Sequence, residues 1–231
     1  MKAVKHIEPG RHLPDRNERH ALALDMLGMV AYPGDTLLDV GCGVGEFIEA
    51  TPGVQISGRS SSRLRCPVGL DPSLGQLRVT RAVAPFPRVV AGVAESLPFS
   101  TGSFDLITAL CVLEHAESPL RMLRELRRVS RGWVLLSTPN LGRPNRLWAA
   151  LREREHRELT GHFQGWDYHL LRQLLTVVGL EPVDYRCRFV DCPGYALWPR
   201  LGKALSFALL RHLFPRVGSE MFFLCRVTPE E

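Results

Sequence analysis

Short apolar runs alternate with amphipathic stretches along most of the chain. Continuous apolar runs of this length are typical of strands that are buried on both faces of a sheet. They predict seven strands, at residues 36–40, 67–71, 88–93, 104–110, 133–138, 180–190 and 220–228. Helical spacing follows most of these strands, so the pattern predicts a largely parallel sheet with helices on both faces.

Capping residues and glycines set the predicted helix ends. Asp15 is a candidate N-cap for a helix that runs to about residue 29. Ser118 and the proline after it predict the start of another helix, which Gly132 is expected to end. Residues 54–66 are polar, basic and without periodicity, and they predict a loop or an insertion.

Composition narrows the class of protein. The chain has 231 residues, of which 45% are hydrophobic, and this is enough for one sizeable core and a single domain over residues 1–231. The net charge of +5 comes mostly from scattered arginines, so nucleic acid is not an expected partner. Six cysteines without a CxxC pair predict neither a metal site nor a disulfide framework. The first twelve residues contain no apolar segment, so we expect a cytoplasmic protein.

Polar and small residues gather where the predicted strands end. In parallel sheets, ligands bind at the carboxyl ends of the strands. The segment LLDVGCGVGEF, residues 37–47, follows this rule, and so do Asp71, residues 93–95, Leu110 and Asn140. Their agreement predicts one ligand site along this edge.

The glycine turn indicates which ligand is bound. Gly41, Gly43 and Gly45 have the spacing G-x-G-x-G, whereas a dinucleotide fingerprint, G-x-G-x-x-G, would need glycine at the position of Glu46. A carboxylate in the first turn of a helix competes with a pyrophosphate for the same amide donors. The turn therefore favours a ligand with little negative charge, such as the cationic S-adenosylmethionine.

At this point the chain resembles the class I S-adenosylmethionine-dependent methyltransferases. The resemblance rests on LLDVGCGVGEF, VGLDPS (68–73), AESLPFSTGSFDLITALCVLEH (94–115), LREL and LLSTPN. It implies an α/β fold with a Rossmann-like, doubly wound, mostly parallel seven-stranded sheet. The last strand would be antiparallel, and helices would cover both faces. It also implies S-adenosyl-L-methionine as cofactor, S-adenosyl-L-homocysteine as product, and no metal.

The resemblance assigns roles to the first two strand ends. Asp39 and the backbone of Gly41 would face the methionine ammonium group, Asp39 through water. Gly43 and Gly45 would let the backbone pass beneath the cofactor. Asp71 would accept hydrogen bonds from both ribose hydroxyls, because its two oxygens match a diol.

Further roles fall on the next two strand ends. The backbone N–H of Ala94 would bind adenine with Glu95 nearby, and the carbonyl of Leu110 would lie near the ammonium group. Val93 departs from the family pattern, which often has aspartate there to accept the adenine amino group. Packing, Ser96 or a backbone carbonyl would then hold the adenine instead.

The acceptor side is predicted from fewer residues. His162 is a candidate general base, and His115 is a second candidate that we expect rather to pack or hydrogen-bond beneath the site. Asn140, Trp166 and Tyr168 are predicted to contact the acceptor. A direct structural role of the aromatic residues in the core is the alternative.

The chain is expected to divide by function. Residues 1–35 form a helical lid segment, residues 36–140 a cofactor-binding half, and residues 141–231 an acceptor-side half. Within the last half, 192–218 are expected to be an apolar and basic insertion. The stretch 195–218 contains no acid, and it predicts either a pocket wall or peripheral contact with a membrane or lipid.

These observations predict methyl transfer from S-adenosylmethionine to a small-molecule or lipid-linked acceptor. Two alternatives remain. One is a non-catalytic member of the fold that binds the cofactor or docks on a membrane or partner. The other is a nucleotide-dependent oxidoreductase, which the residue at position 46 disfavours.

Overall fold

The computed structural model describes residues 14–51, 64–83, 88–142, 164–188, 216 and 218–228. Within these ranges one sheet is formed by β1 (Thr36–Val40), β2 (Arg65–Asp71), β3 (Arg88–Ala91), β4 (Phe104–Leu110), β5 (Ser130–Pro139), β6 (Leu180–Arg188) and β7 (Glu220–Val227). The described helices are α1 (Pro14–Gly28), α2 (Glu46–Ala50), α3 (Leu74–Val83), α4 (Pro119–Val129) and α5 (Tyr168–Val177), with a 3-10 turn at Leu113–His115.

The strand order is β3-β2-β1-β4-β5-β7-β6. Strands β1 to β5 pair in parallel, and β7 lies antiparallel between β5 and β6. The chain moves outward in opposite directions from β1 and β4, so the crevice for a ligand lies at their carboxyl ends. The predicted fold, including the antiparallel last strand, is confirmed.

Alternation along the strands places apolar side chains on both faces of the sheet. In β1, Leu38 and Val40 belong to one core cluster, whereas Leu37 belongs to the other. The first cluster is completed by α4 and α5, and the second by α1 and Phe47 of α2. Burial of both faces explains why the strands read as continuous apolar runs.

Strand β3 ends at Ala91 and β5 begins at Ser130, whereas residues 93 and 133 were predicted, and three further predicted boundaries are wrong. Helix α1 begins at Pro14, so Asp15 lies within its first turn and is not the N-cap. Strand β2 begins at Arg65, inside the segment 54–66 that was predicted as a loop; residues 54–63 of that segment lie outside the described residues.

The third wrong boundary concerns Gly132, which does not end helix α4. The helix ends at Val129, and Gly132 lies inside β5. A Cβ at this glycine would lie 2.6 Å from the backbone oxygen of Asp105 in β4. The glycine is therefore explained by the close approach of two strands, which sequence periodicity does not reveal.

Candidate active site

The glycine turn after β1 folds across the end of β2. The backbone N–H groups of Gly41 and Cys42 donate to the carbonyl of Leu70 at 2.7 and 3.1 Å. Gly41 has φ +73°, and a Cβ there would lie 2.4 Å from a methyl carbon of Val112. Glycine is thus required at position 41 for two reasons: its backbone is left-handed, and Val112 after β4 leaves no room for a side chain.

Asp71 connects the end of β2 to this turn. One carboxylate oxygen accepts the N–H of Gly43 at 3.0 Å, and the other accepts the N–H of Ser73 at 2.8 Å. Helix α3 begins after Ser73, whose hydroxyl accepts the N–H of Gln76 at 3.4 Å, so Asp71 is not the N-cap of α3. The two bonds fix the carboxylate, and each oxygen retains a further lone pair for a ligand.

Asp39 is buried at the end of β1. It accepts a hydrogen bond from the Thr108 hydroxyl at 2.7 Å. Burial raises the pKa of Asp39 to about 7, and the charge of Asp71 adds to this rise, while the bond from Thr108 opposes it. A cation beside Asp39 would favour its ionised form, as the ammonium group of the predicted cofactor would.

A cleft of about 490 Å³ opens at the carboxyl edge of the sheet. Its walls come from the ends of β1 and β2, from residues 93–96 after β3, and from residues after β4. Among the predicted cofactor residues, Gly41, Ala94 and Glu95 line the cleft. The turn and strand ends around it carry the others, Asp39, Gly43, Gly45, Asp71 and Leu110.

The rim of the cleft joins the loops after β3 and β4. The Glu95 carboxylate accepts the backbone N–H of Glu117 at 2.9 Å. Val93 lines the cleft and is 48% exposed, at the position where the family pattern often has an acid. The geometry thus gives Glu95 a role in holding the rim, and it places an apolar surface where adenine is expected.

The two histidine predictions have different outcomes. His115 is exposed and lines the cleft, so it is not packed beneath the site; its expected hydrogen bond there and its role as a candidate base stay predictions. His162 lies outside the described residues.

Asn140, which was predicted to contact the molecule that accepts the methyl group, is buried just beyond β5. Its amide nitrogen donates to the carbonyls of Arg216 and Gly218 at 2.9 and 2.8 Å. Its amide oxygen accepts the N–H of Gly142 at 2.8 Å. Because both amide hydrogens are committed to the backbone, the geometry gives Asn140 a structural role, and its contact with an acceptor stays a prediction.

The two predicted aromatic residues occupy different environments. Tyr168 packs into a cluster with Tyr185 and Phe223, at ring-centroid distances of 4.7 and 5.7 Å, and the guanidinium of Arg216 lies 4.3 Å from its ring. Trp166 is buried, and its backbone pairs with the segment that follows β5.

A buried ionic network near the β5–β7 pair of strands was missed by sequence reasoning. Glu220, at the start of β7, accepts hydrogen bonds from Arg19 of α1 at 2.7 Å and from Arg188 of β6 at 3.1 Å. The Ser137 hydroxyl and the Cys111 thiol donate to the same carboxylate at 2.9 and 3.1 Å. The network therefore joins α1, β5, β6, β7 and the residue after β4.

Electrostatics holds the centre of this network in its charged form. Burial opposes ionisation of Glu220, but Arg19 and Arg188 outweigh it and keep the pKa of the carboxyl below its usual value. A glutamate that opens the otherwise apolar run EMFFLC was a signal in the sequence. Its partners could not be read from the sequence, because Arg19 is 201 positions away.

Glu114 is a second acidic residue that sequence reasoning missed. It lies in the 3-10 turn after β4 and is 1% exposed. One of its carboxylate oxygens accepts the Thr138 hydroxyl of β5 at 3.1 Å. Burial raises the pKa of Glu114 above its usual value. The sequence contained it in the motif VLEH, where the adjacent histidine drew attention instead.

Comparison with known proteins places this geometry in a family. The sequence profile described as "Methyltransferase domain" matches residues 12–185, about three quarters of the chain. The chain belongs to this methyltransferase domain family. The predicted resemblance to class I S-adenosylmethionine-dependent methyltransferases is confirmed.

Curated relatives match just under half of the chain. The demethylmenaquinone methyltransferase of Renibacterium salmoninarum is 35% identical over 112 residues, covering 48% of this chain and 42% of the relative. The ubiquinone biosynthesis O-methyltransferase of Pseudomonas paraeruginosa is 35% identical over 111 residues, covering 46% of this chain and 45% of the relative. The chain thus spans less than half the length of these relatives.

A solved structure supports the fold. The YcgJ protein of Bacillus subtilis superimposes with a TM-score of 0.64 at 17% identity, covering 92% of this chain and all of that one. None of the described helices combines the length and apolarity needed to cross a membrane. Within the described ranges, no group of three or more histidine, cysteine, aspartate and glutamate side chains is placed to hold a metal ion.

Proposed function

We propose that this methyltransferase-family protein transfers the methyl group of S-adenosylmethionine to a small-molecule or lipid-linked acceptor. The carboxylate of Asp71 carries the proposal, because the N–H groups of Gly43 and Ser73 hold it beside a cleft of about 490 Å³. The sulfonium is a good leaving group, so in-line alignment of acceptor, methyl carbon and sulfur supplies much of the rate. The names of the quinone-pathway relatives support a small-molecule acceptor.

The cofactor-binding roles follow the four strand ends. Asp71 accepts the ribose hydroxyls, and the ionised form of Asp39 favours the methionine ammonium group beside Gly41. Gly43 and Gly45 have no side chains, so the cofactor can lie directly against the backbone of the turn. Ala94, Glu95 and the carbonyl of Leu110 complete the contacts to adenine and the amino acid part.

Adenine binding is expected to rely on packing. Val93 presents an apolar side chain to the cleft, so it can cover one face of the adenine ring. An acid there would have accepted the amino group of adenine. Loss of one such hydrogen bond lowers affinity by about tenfold, which leaves cofactor binding measurable.

Calorimetry with S-adenosylhomocysteine tests the cofactor site. We expect wild type to bind it, and Asp71→Ala to weaken binding at least about thirtyfold, because two hydrogen bonds to a charged group are lost. Exposed Asp167→Ala is the control, since Asp167 caps α5 on the acceptor side. No binding of S-adenosylmethionine or S-adenosylhomocysteine to wild type at millimolar concentration would overturn the proposal. Equal affinity in Asp71→Ala would overturn the ribose assignment.

A measurement of methyl transfer distinguishes the proposed enzyme from a non-catalytic member of the family. A protein that binds S-adenosylmethionine but transfers label to no acceptor in a broad extract fits that alternative. Flotation with anionic liposomes tests whether residues 195–218, most of which lie outside the described residues, bring the protein to a lipid acceptor. Absence of flotation at both low and high salt would restrict the proposal to acceptors in solution.

A further inference from the structure

Thr108 and Asp39 face each other across the parallel strands β4 and β1. Their Cα atoms are partners in the register of this strand pair. The Thr108 hydroxyl donates to Oδ1 of Asp39 at 2.7 Å, and the two residues are 0% and 3% exposed. The buried carboxylate therefore receives from the protein a hydrogen bond that water would supply in the unfolded chain.

The Thr108 hydroxyl also has a second acceptor within reach. The carbonyl oxygen of Leu38 lies 3.5 Å from Thr108 Oγ1. A hydroxyl group has one proton to donate and two lone pairs that accept. If Asp39 takes up a proton, Thr108 can donate to Leu38 and accept the carboxyl proton instead. The site thus accommodates both forms of Asp39, but it favours the ionised one, because a hydrogen bond to a charged group is the stronger bond.

The other groups that act on Asp39 disfavour its charge. Burial raises the pKa of Asp39 to about 7, the bond from Thr108 opposes the rise, and the negative charge of Asp71 on β2 adds to it. Cys42, in the glycine turn, stays a neutral thiol, because burial and the charges of Asp39 and Asp71 raise its pKa. Of these groups, Thr108 is therefore the one that stabilises the Asp39 carboxylate.

Thr108 is separated from the cleft, whereas the residues after Asp39 form part of its wall. Thr108 is 0% exposed, so a ligand in the cleft does not touch it. Val40 and Gly41, which follow Asp39 directly, line the cleft. A charge acts across several ångströms of protein interior, so Asp39 can attract an ammonium group without direct contact. Thr108 thus reaches the cofactor through the charge of Asp39.

We propose that Thr108 is a positioning residue that keeps Asp39 ionised and thereby sets the pH range over which the cofactor binds. The inference rests on the proposed function, since it needs a cofactor whose ammonium group lies near Asp39. Without the hydroxyl, Asp39 stays buried beside Asp71 but loses the bond that favours its charge. Tight cofactor binding then begins at higher pH, because more of the ligand-free protein carries a neutral Asp39.

Titration of Asp39 in the ligand-free protein is the first test. Thr108→Val removes the hydroxyl and keeps a β-branched side chain. We expect the carboxyl carbon resonance of Asp39, assigned by its loss in Asp39→Asn, to titrate about one pH unit higher in this variant. Thr108→Ala should give the same shift, and Thr108→Ser, which keeps the hydroxyl, should titrate close to wild type. Equal midpoints in wild type and in both variants without the hydroxyl would overturn the proposal.

Calorimetry with S-adenosylhomocysteine between pH 5.5 and 8.5 links this titration to the cofactor. The ligand keeps the ammonium group and lacks the sulfonium charge, so its affinity reports on the amino acid part. We expect Thr108→Val to bind it about tenfold more weakly than wild type at pH 6 and within about twofold at pH 8.5, where Asp39 is mostly ionised in both proteins. Thr176→Val is the matched control, because its exposed hydroxyl bonds to the carbonyl of Arg172 in α5.

The outcomes separate this inference from the proposed function. If wild type binds S-adenosylhomocysteine and Thr108→Val lowers affinity by the same factor at every pH, Thr108 has only a structural role and the inference is overturned. If the Asp39 resonance shifts but the two affinity curves coincide, the inference is also overturned, while the proposed function stands. If S-adenosylhomocysteine does not bind to wild type at millimolar concentration, the proposed function fails as well.

Discussion

The two edges of the sheet differ in the groups that shape them, since one is built from backbone groups and the other from buried side chains. The edge formed by β1, β2 and the loop after β3 is built mainly from backbone groups. Its glycines have left-handed backbone conformations, a backbone N–H of the turn donates to the Asp71 carboxylate, and a carbonyl of β2 accepts hydrogen bonds from the glycine turn. The edge formed by β5, β6 and β7 is shaped by buried side chains, with Glu220 bonded to two arginines. The first edge is the one that we propose binds the cofactor, and the second lies on the side where we propose that the acceptor binds.

Because of this difference, mutations in the two edges should affect different properties of the protein. A change in the backbone-built edge should affect cofactor affinity, since the binding groups are main-chain atoms of a local turn. A change in the side-chain network should affect stability, since it removes the buried carboxylate that two arginines share. The expected effects follow, from the largest to the smallest.

Removing the centre of the ionic network should give the largest loss. Glu220→Ala leaves Arg19 and the buried Arg188 without their shared carboxylate, so we expect unfolding free energy to fall by about 3–5 kcal/mol. Chemical denaturation measures this. Asp25→Ala, which breaks an ion pair with Arg186 at a side chain that is 68% exposed, should cost less than about 1 kcal/mol. Equal losses in the two variants would contradict the contrast.

Adding a methyl group to the glycine turn should give the next largest effect. Gly41→Ala places a Cβ 2.4 Å from Val112 and strains a backbone at φ +73°, so we expect a loss of about 1–3 kcal/mol in stability and a clear loss of affinity for S-adenosylhomocysteine. Gly34→Ala is the control, because it has φ +88° but meets nothing within 4 Å. It should cost stability through backbone strain alone and leave affinity unchanged. Unchanged affinity in Gly41→Ala would refute the role of this turn.

Titration of Asp39 should give the smallest effect and the most specific one. Its pKa is raised to about 7, so it binds a proton more readily in the folded protein than in the unfolded chain. Protonation of Asp39 thus stabilises the ligand-free protein, and this contribution fades as pH rises toward 7 and above. Affinity for the cationic cofactor should change in the opposite direction, falling about tenfold per pH unit below 7.

Asp39→Asn is the comparison for both measurements. It should flatten the pH dependence of cofactor affinity, measured by calorimetry between pH 5.5 and 8.5, and remove the matching slope in thermal stability. A wild-type affinity that is constant over this range would show that the carboxylate of Asp39 does not face the ammonium group.

Predictability follows the range of the interactions involved. Strand β4 was predicted over its full length, and Asp71 was placed at the end of β2, because apolar runs and turn residues are local patterns. The early end of α4 was not predictable, because Gly132 does not end that helix. It lies in β5, where the close approach of Asp105 in β4 leaves no room for a Cβ. The side-chain roles of Asn140 and Glu95 were likewise assigned only by contacts across loops.

The sequence by itself determined the order of strands and helices along the chain and the position of the glycine turn, and it predicted a ligand class and the edge of the sheet where the ligand would bind. These depend on residues a few positions apart. Only the tertiary structure decided that Glu220 meets Arg19 and Arg188, that Glu114 is buried against Thr138, and that His115 faces the cleft. Such pairings join distant segments, and the free energy of a buried charge or hydrogen bond depends on the partners that folding brings to it.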